Sequence, residues 1–307
     1  MNLLEILRSR VDGLPEGDYT QGLKAVLQHI EVASRHLERG QADADDTAFT
    51  DAIYRTNQAF EGSLKEAYRV LTSKDPAGES PYNIENYLQQ QNVLRPRVLA
   101  QLTNYRREWR NPSTHDYRLD FDEDEALLAI VTVSAFAIVL IDQITERISF
   151  EQAKIVAAEQ PTSPLIAQSL LEKVSTLVEQ FTIQFNPTHA DRTDIREVEI
   201  IGALTGFLAA TAPELKTLVE VMLAPNVRVD LLITSGDERL ILEVKRGRGV
   251  SHKVTEDAVK QVTFYMGVSS INQAILFIYN LPNSGNLTRL AQPLLLRNDR
   301  IVIISVT

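Results

Sequence analysis

The chain has 307 residues, 44% of them apolar and 23% charged, which is ordinary for a globular protein and long enough for two domains. It contains no cysteine, so disulfides, thiolate metal sites and cysteine nucleophiles are excluded. The net charge of −10 argues against broad, nonspecific coating of nucleic acid, but residues 1–165 hold 17 Lys+Arg against 26 Asp+Glu, whereas residues 166–307 hold 14 against 15.

The first half reads as helix throughout. Residues 3–10 alternate apolar and charged side chains like a surface helix and lack the apolar centre of a signal peptide. Residues 21–37 repeat apolar side chains at helical spacing. Asp45 and Asp46 can cap a third helix that runs to about residue 71. Asp75-Pro76-Ala77-Gly78 and Ser80-Pro81 make 72–82 a loop, and 84–88 a short helix. Pro96 suits the first turn of a helix running through Trp109, which Asn111-Pro112 interrupts or ends. Asp120, Asp122, Glu123 and Asp124 form an acidic first turn, as the helix dipole favours, before an apolar helix to about residue 150. The apolar part, 126–141, is about 16 residues long and contains Thr132 and Ser134, whereas a membrane span takes roughly 20. A buried core helix is therefore expected, with no membrane association.

Two prolines make 157–164 the expected linker, followed by a helix over 165–181. The period then changes. Residues 194–208 read as helix, 227–234 and 239–245 as strands joined by a turn at Ser235-Gly236-Asp237-Glu238, and 254–266 as helix. Residues 274–279 and 300–306 are apolar runs of buried-strand type. The expected fold is multidomain: an all-α bundle over 1–157, a linker and connecting helix over 158–190, and an α/β domain over 191–307 with a sheet flanked by helices.

In that α/β part, Asp230 lies in one strand-like run, and Glu243 and Lys245 in the next. Side chains alternate along a strand, so Glu243 and Lys245 share a face, and the hairpin brings Asp230 alongside. Hard carboxylate oxygens suit Mg²⁺ or Mn²⁺, which polarises a phosphodiester and acidifies a bound water. A lysine can position or deprotonate that water and stabilise developing charge. The other reading is an amphipathic hairpin whose charged residues face solvent. The segment 191–307 resembles the PD-(D/E)XK, or restriction-endonuclease-like, nuclease superfamily. The resemblance rests on Asp230, on Glu243-Val244-Lys245, and on Gln261 and Tyr265 in the following helix, as Gln-x-x-x-Tyr. It departs from the family in having Val229 before Asp230 where proline is common. It implies that Gln261 and Tyr265 line the site, and that a Glu on the preceding helix joins the metal ligands. Glu199 is the expectation, because it shares a small-residue face with Gly202, Ala203 and Gly206; Glu197 is the alternative. Lys245, Arg246, Arg248, His252 and Lys253 form a basic run able to hold phosphates.

In the helical half, Arg110, Asn111 and His115 form Arg-Asn-x-x-x-His at a helix end. With the all-helical surroundings, residues of about 45–150 resemble the HEPN helical-bundle family. The resemblance implies that two chains pair so that both motifs line one cleft. It also implies metal-independent RNA cleavage, with His115 as acid/base and Arg110 stabilising the phosphate charge. Glu61 and Lys65, on one face of an earlier helix, could add polar contacts or form an i,i+4 pair.

Together these readings imply a cytoplasmic, homodimeric nuclease with a defence or toxin role. Its C-terminal part is expected to cut DNA, with RNA the alternative substrate, and its N-terminal part RNA. Two alternatives stay open: a metal-independent ribonuclease whose C-terminal domain only binds, and a non-catalytic nucleic-acid-binding regulator.

Overall fold

The computed structural model describes residues 3–115, 120–159, 169–185, 195–247, 252–280, 287–293 and 300–306. The chain forms two compact units, Met1–Arg147 and Ile148–Thr307.

The first unit is helical: α1 (Leu3–Asp12), α2 (Thr20–Asp43), α3 (Thr47–Thr72), α4 (Pro81–Gln90), α5 (Pro96–Tyr105), α6 (Asn111–His115) and the start of α7 (Glu123–Ala158). A π-helical turn, Arg106–Arg110, joins α5 to α6, so Asn111-Pro112 does not end the helix but follows a widened turn within it. The apolar stripe of α2, Leu23, Val26, Leu27, Ile30, Ala33 and Leu37, recurs every three to four residues and is buried. It pairs with α3, whose Ile53, Phe60 and Leu64 are also buried. Each such side chain contributes roughly 1.5–3 kcal/mol relative to exposure. Phe60 stacks on Tyr105 at 4.8 Å between ring centres and meets Phe136 of α7 at 5.2 Å. The helix α4 begins earlier than its apolar pattern suggests, because the Ser80 side chain accepts the Asn83 N–H at 3.2 Å. Among the described residues, α7 is the one helix long and apolar enough to cross a membrane, and 56% of its most apolar window is buried.

The second unit contains α8 (Leu170–Gln184), α9 (Glu197–Thr211), α10 (His252–Ser269) and a six-stranded sheet ordered β1-β2-β3-β4-β6-β5. Its strands are β1 (Lys216–Ala224), β2 (Val227–Ser235), β3 (Glu238–Gly247), β4 (Gln273–Asn280), β5 (Leu287–Pro293) and β6 (Arg300–Val306). The pairs β3/β4 and β4/β6 are parallel, and the others antiparallel. Every residue of β4 after Gln273 is buried, as a strand covered on both faces requires. One face, with Leu231, Leu242, Val244, Phe277 and Ile304, packs under α8 and α9; the other, with Val229, Ile241, Leu276, Ile278 and Ile303, packs under α10.

The division corrects two expectations. The boundary lies between residues 147 and 148, within α7, rather than at 157–158. And α8, expected as part of a connecting segment over 158–190, is a core helix of the second unit, with Leu170, Leu171, Val174, Leu177, Val178 and Phe181 buried against the sheet. Residues 160–168, most of the expected linker, lie outside the described residues. The strands β1 and β5 were not read from the sequence. Both are sheet edges, and β1 is only half covered, so its hydrophobic pattern is correspondingly weak.

Candidate active site

The β2–β3 hairpin is closed by Gly236 and Asp237, with Gly236 at φ 56°, a backbone conformation that suits the first central position of a primed hairpin turn. This turn sets the register: Ser235↔Glu238, Ile233↔Leu240, Leu231↔Leu242. One step beyond the last of these pairs stand Asp230 and Glu243. There side chains take over from the backbone ladder. The Asp230 N–H donates to Glu243 Oε2 at 3.3 Å, and the Val244 N–H donates to Asp230 Oδ2 at 2.9 Å. Lys245 Nζ donates to Glu243 Oε1 at 2.7 Å. Glu243 is 2% exposed. Glu243 and Lys245 alternate with Leu242 and Val244, so they lie on the α10 side of the sheet.

Two further carboxylates reach this point. Glu197, in the first turn of α9, accepts the main-chain N–H of Arg246, and its charge acts on Asp230 and Lys245. Glu220 of β1 lies between Val219, paired with Leu231, and Val221, paired with Val229, so it stands opposite Asp230. Its φ is 52°, and the face alternation slips there: Val219 packs under α8 and α9, Val221 under α10. Glu220 also pairs with Arg228 at 3.9 Å. The sequence reading missed Glu220 because it missed β1; a lone Glu in a partly exposed edge strand carries no signal by itself.

Electrostatics follow from this crowding. Burial pushes the Asp230 carboxyl up to about 6, and Glu243 and Glu220 add to the rise; Lys245 and the Val244 N–H oppose it. Burial also raises Glu197, with Asp230 adding and Lys245 and the Arg246 N–H opposing. For Lys245, burial favours the neutral amine, but Glu243, Asp230 and Glu197 outweigh it, and the ammonium is held more firmly than in water. The charges of Glu243, Asp230 and Glu197 thus act on one ammonium in a largely apolar setting. Among the described residues no group of three or more His, Asp or Glu side chains forms a ready-made metal cage. Asp230 and Glu243 still match the one or two carboxylates that Mg²⁺ usually takes alongside water and phosphate.

The remaining expected residues fall as follows. Glu199 does not join the cluster; its carboxylate accepts the Arg196 N–H at 3.3 Å and pairs with the Arg196 guanidinium at 3.4 Å, closing the N-terminus of α9. The small face of α9 does not approach the sheet at Gly206: a Cβ there would collide with the main-chain carbonyl of Phe150 in α7. Gln261 donates to the hydroxyl of Tyr265, and Tyr265 packs on the apolar layer between α10 and the sheet. Arg246 stands beside Glu197, while Arg248 and the side chains of His252 and Lys253 lie outside the described residues.

In the helical unit, the π-helical turn Arg106–Arg110 carries Arg110 to Glu61 of α3 at 3.7 Å and to Asn111 Oδ1 at 3.2 Å. Glu61 thus reaches Arg110. Arg106 pairs with the buried Glu85, whose carboxyl is raised by burial and drawn back by Arg106 and Arg110. Ser113 accepts from Asn57 Nδ2 at 2.7 Å, which ties α6 to α3. His115 ends α6, and its side chain lies outside the described residues. Widened π turns occur often at functional sites, where they re-aim a side chain.

Set against known proteins, the chain matches no family model, no curated protein and no solved structure.

Proposed function

We propose that the chain is a metal-dependent nuclease that hydrolyses phosphodiester bonds at the Asp230, Glu243, Lys245 cluster, as the PD-(D/E)XK resemblance implies. The observation that carries this reading is the register of β2 and β3. It sets Asp230 and Glu243 opposite each other where the ladder stops, with Lys245 bonded to Glu243. Asp230 and Glu243 would hold Mg²⁺ or Mn²⁺, with Glu197 beside them, and the ion would supply charge neutralisation at the phosphate and a more acidic water. Lys245 then orients the attacking water and offsets the charge that develops on the phosphate oxygens. The apolar face under α10 keeps the surroundings dry, which strengthens each of these interactions. DNA is the proposed substrate of this unit, and a defence or toxin role the proposed context.

The test is a cleavage assay on single- and double-stranded DNA and RNA with Mg²⁺, Mn²⁺ or EDTA. The chain should cut with either metal and stop in EDTA, and Asp230→Ala or Lys245→Ala should abolish cutting. Variants that cut as well as the wild type would overturn the assignment.

A second activity is proposed for the helical unit on a separate observation, the π-helical turn that brings Arg110 to Glu61 and Asn111. With His115 as acid/base, paired copies of this motif would cleave RNA without metal, as the HEPN resemblance implies. RNA cleavage that persists in EDTA and disappears in His115→Ala is the expected result; persistence in that variant sinks the idea.

A further inference from the structure

The carboxyl ends of β4 and β6 carry two polar residues that the nuclease chemistry above leaves unused. After six consecutive buried residues, Ala274 to Tyr279, β4 ends on Asn280, which is 3% exposed. Burying an amide costs free energy unless its hydrogen-bonding groups find partners. Asn280 Nδ2 donates to Ser305 Oγ of β6 at 3.2 Å, which engages one of the amide's two donors and not its acceptor oxygen.

The faces are fixed by alternation. Ile278 and Ile303 pack under α10, and Tyr279, Ile304 and Val306 under α8 and α9, so Asn280 and Ser305 belong to the α10 side. Glu243 and Lys245 are on that same side. The register places Lys245 beside Ile278, Ile278 beside Ser305, and Gly247 beside Asn280. At strand spacings of about 4.8 Å and rises of about 3.3 Å per residue, the Asn280 and Lys245 backbones lie about 8 Å apart. Gly247, next in line on that face of β3, places no side chain between them. Asn280 and Ser305 thus stand on the same face of the sheet as Lys245, with Ile278 between Lys245 and Ser305. In open sheets of this kind, ligands sit at the carboxyl ends of the strands.

We infer that Asn280, anchored by Ser305, forms a neutral hydrogen-bonding subsite beside the charged Lys245 for the nucleotide adjoining the scissile phosphate. This rests on the nuclease reading of the Asp230 cluster. A neutral amide with donors and an acceptor suits a base edge or a sugar hydroxyl; a phosphate oxygen offers acceptors alone, and positive charge serves it better.

The test uses the full-length chain and short fluorescein-labelled DNA and RNA oligonucleotides of one sequence. Fluorescence anisotropy compares Asp230→Asn with Asp230→Asn/Asn280→Ala, so that binding is read without cleavage. In the otherwise wild-type chain, Asn280→Ala is assayed for KM and kcat on the same oligonucleotides and for turnover of bis(p-nitrophenyl) phosphate, which carries no nucleoside. Losing one neutral hydrogen bond should weaken oligonucleotide binding and raise KM by about 3- to 10-fold. The kcat and the turnover of the small diester should stay unchanged. A loss on RNA alone identifies a 2′-hydroxyl, and a loss on both identifies a base edge. Unchanged binding by a folded Asn280→Ala chain overturns the subsite, as does an equal loss on the small diester. Should Asn280→Ala fail to fold, Ser305→Ala, which leaves the amide without its anchor, carries the same expectations and the same refutation. A wild-type chain that turns over neither oligonucleotide nor diester overturns the nuclease reading, and the anisotropy comparison still decides the subsite.

Discussion

Replacing Asp230 by Asn changes the charge of the cluster while keeping its shape. The asparagine oxygen can still accept the Val244 N–H, and the main-chain N–H of residue 230 that donates to Glu243 is unaffected. The native carboxyl is pushed up to about 6 from 3.8, by burial first and by Glu243 next. A gap of about 2 units corresponds to about 3 kcal/mol of penalty on the ionised form. The folded-state value is raised, so the stability associated with Asp230 is intact below about pH 4 and is lost as the pH climbs through about 6. Asn does not titrate. Without metal, the substituted chain should therefore gain up to about 3 kcal/mol over the wild type between about pH 4.5 and about pH 7.5, or about 6–12 °C in the melting of this unit. The single tryptophan, Trp109, belongs to the other unit and does not report on this one. Hydrogen exchange of β2 and β3 peptides along a urea series in EDTA reads the opening free energy directly. Saturating Mg²⁺ should close most of that gap, stabilising the wild type by about 2.7 kcal/mol at a hundredfold excess over Kd and leaving Asp230→Asn unmoved. Equal pH dependence of the two chains would refute the electrostatic reasoning, as would a neutral-pH Asp230→Asn chain less stable than the wild type in EDTA.

Four other substitutions separate the packing from the chemistry. Glu197→Gln should lower cleavage by an order of magnitude or more, while Glu199→Gln should leave cleavage intact and cost about 0.5–1 kcal/mol of stability through the weakened α9 cap, as a denaturant titration would show. The opposite pattern would return Glu199 to the site. Gly206→Ala should destabilise the second unit by about 1–3 kcal/mol, since the added methyl meets a main-chain carbonyl of α7 that cannot turn aside; an unchanged calorimetric transition would refute that close approach. Tyr105→Phe should cost the first unit about 1–3 kcal/mol, because the buried hydroxyl hydrogen-bonds Thr56 at 2.7 Å and Asn57 at 2.9 Å. Urea denaturation followed by Trp109 fluorescence measures it, and a neutral result would mean that water replaces the hydroxyl.

Much of the architecture was legible because burial writes a period into the chain. The apolar stripe of α2, the continuous run of β4 and the alternation of β3 each follow from the number of covered faces. The same alternation put Glu243 and Lys245 on one side, and the Gly236 turn brought Asp230 across from them. Edges and ends were not legible in the same way. The strand β1 has one free ladder and half-covered side chains, so its pattern is weak, and with it went Glu220. The choice between Glu197 and Glu199 turned on which carboxylate the first turn of α9 uses for its own cap, and both spacings suit a helix. The role of α8 as a core helix depended on which surface lay opposite its apolar stripe. The sequence alone therefore determined the elements covered on known faces and the local pairing of Asp230 with Glu243. Only the tertiary structure decided the Glu197 and Glu220 contacts, the Asn280–Ser305 pair and the boundary within α7. Most of these depend on segments distant in sequence becoming neighbours, and no local period records which ones meet.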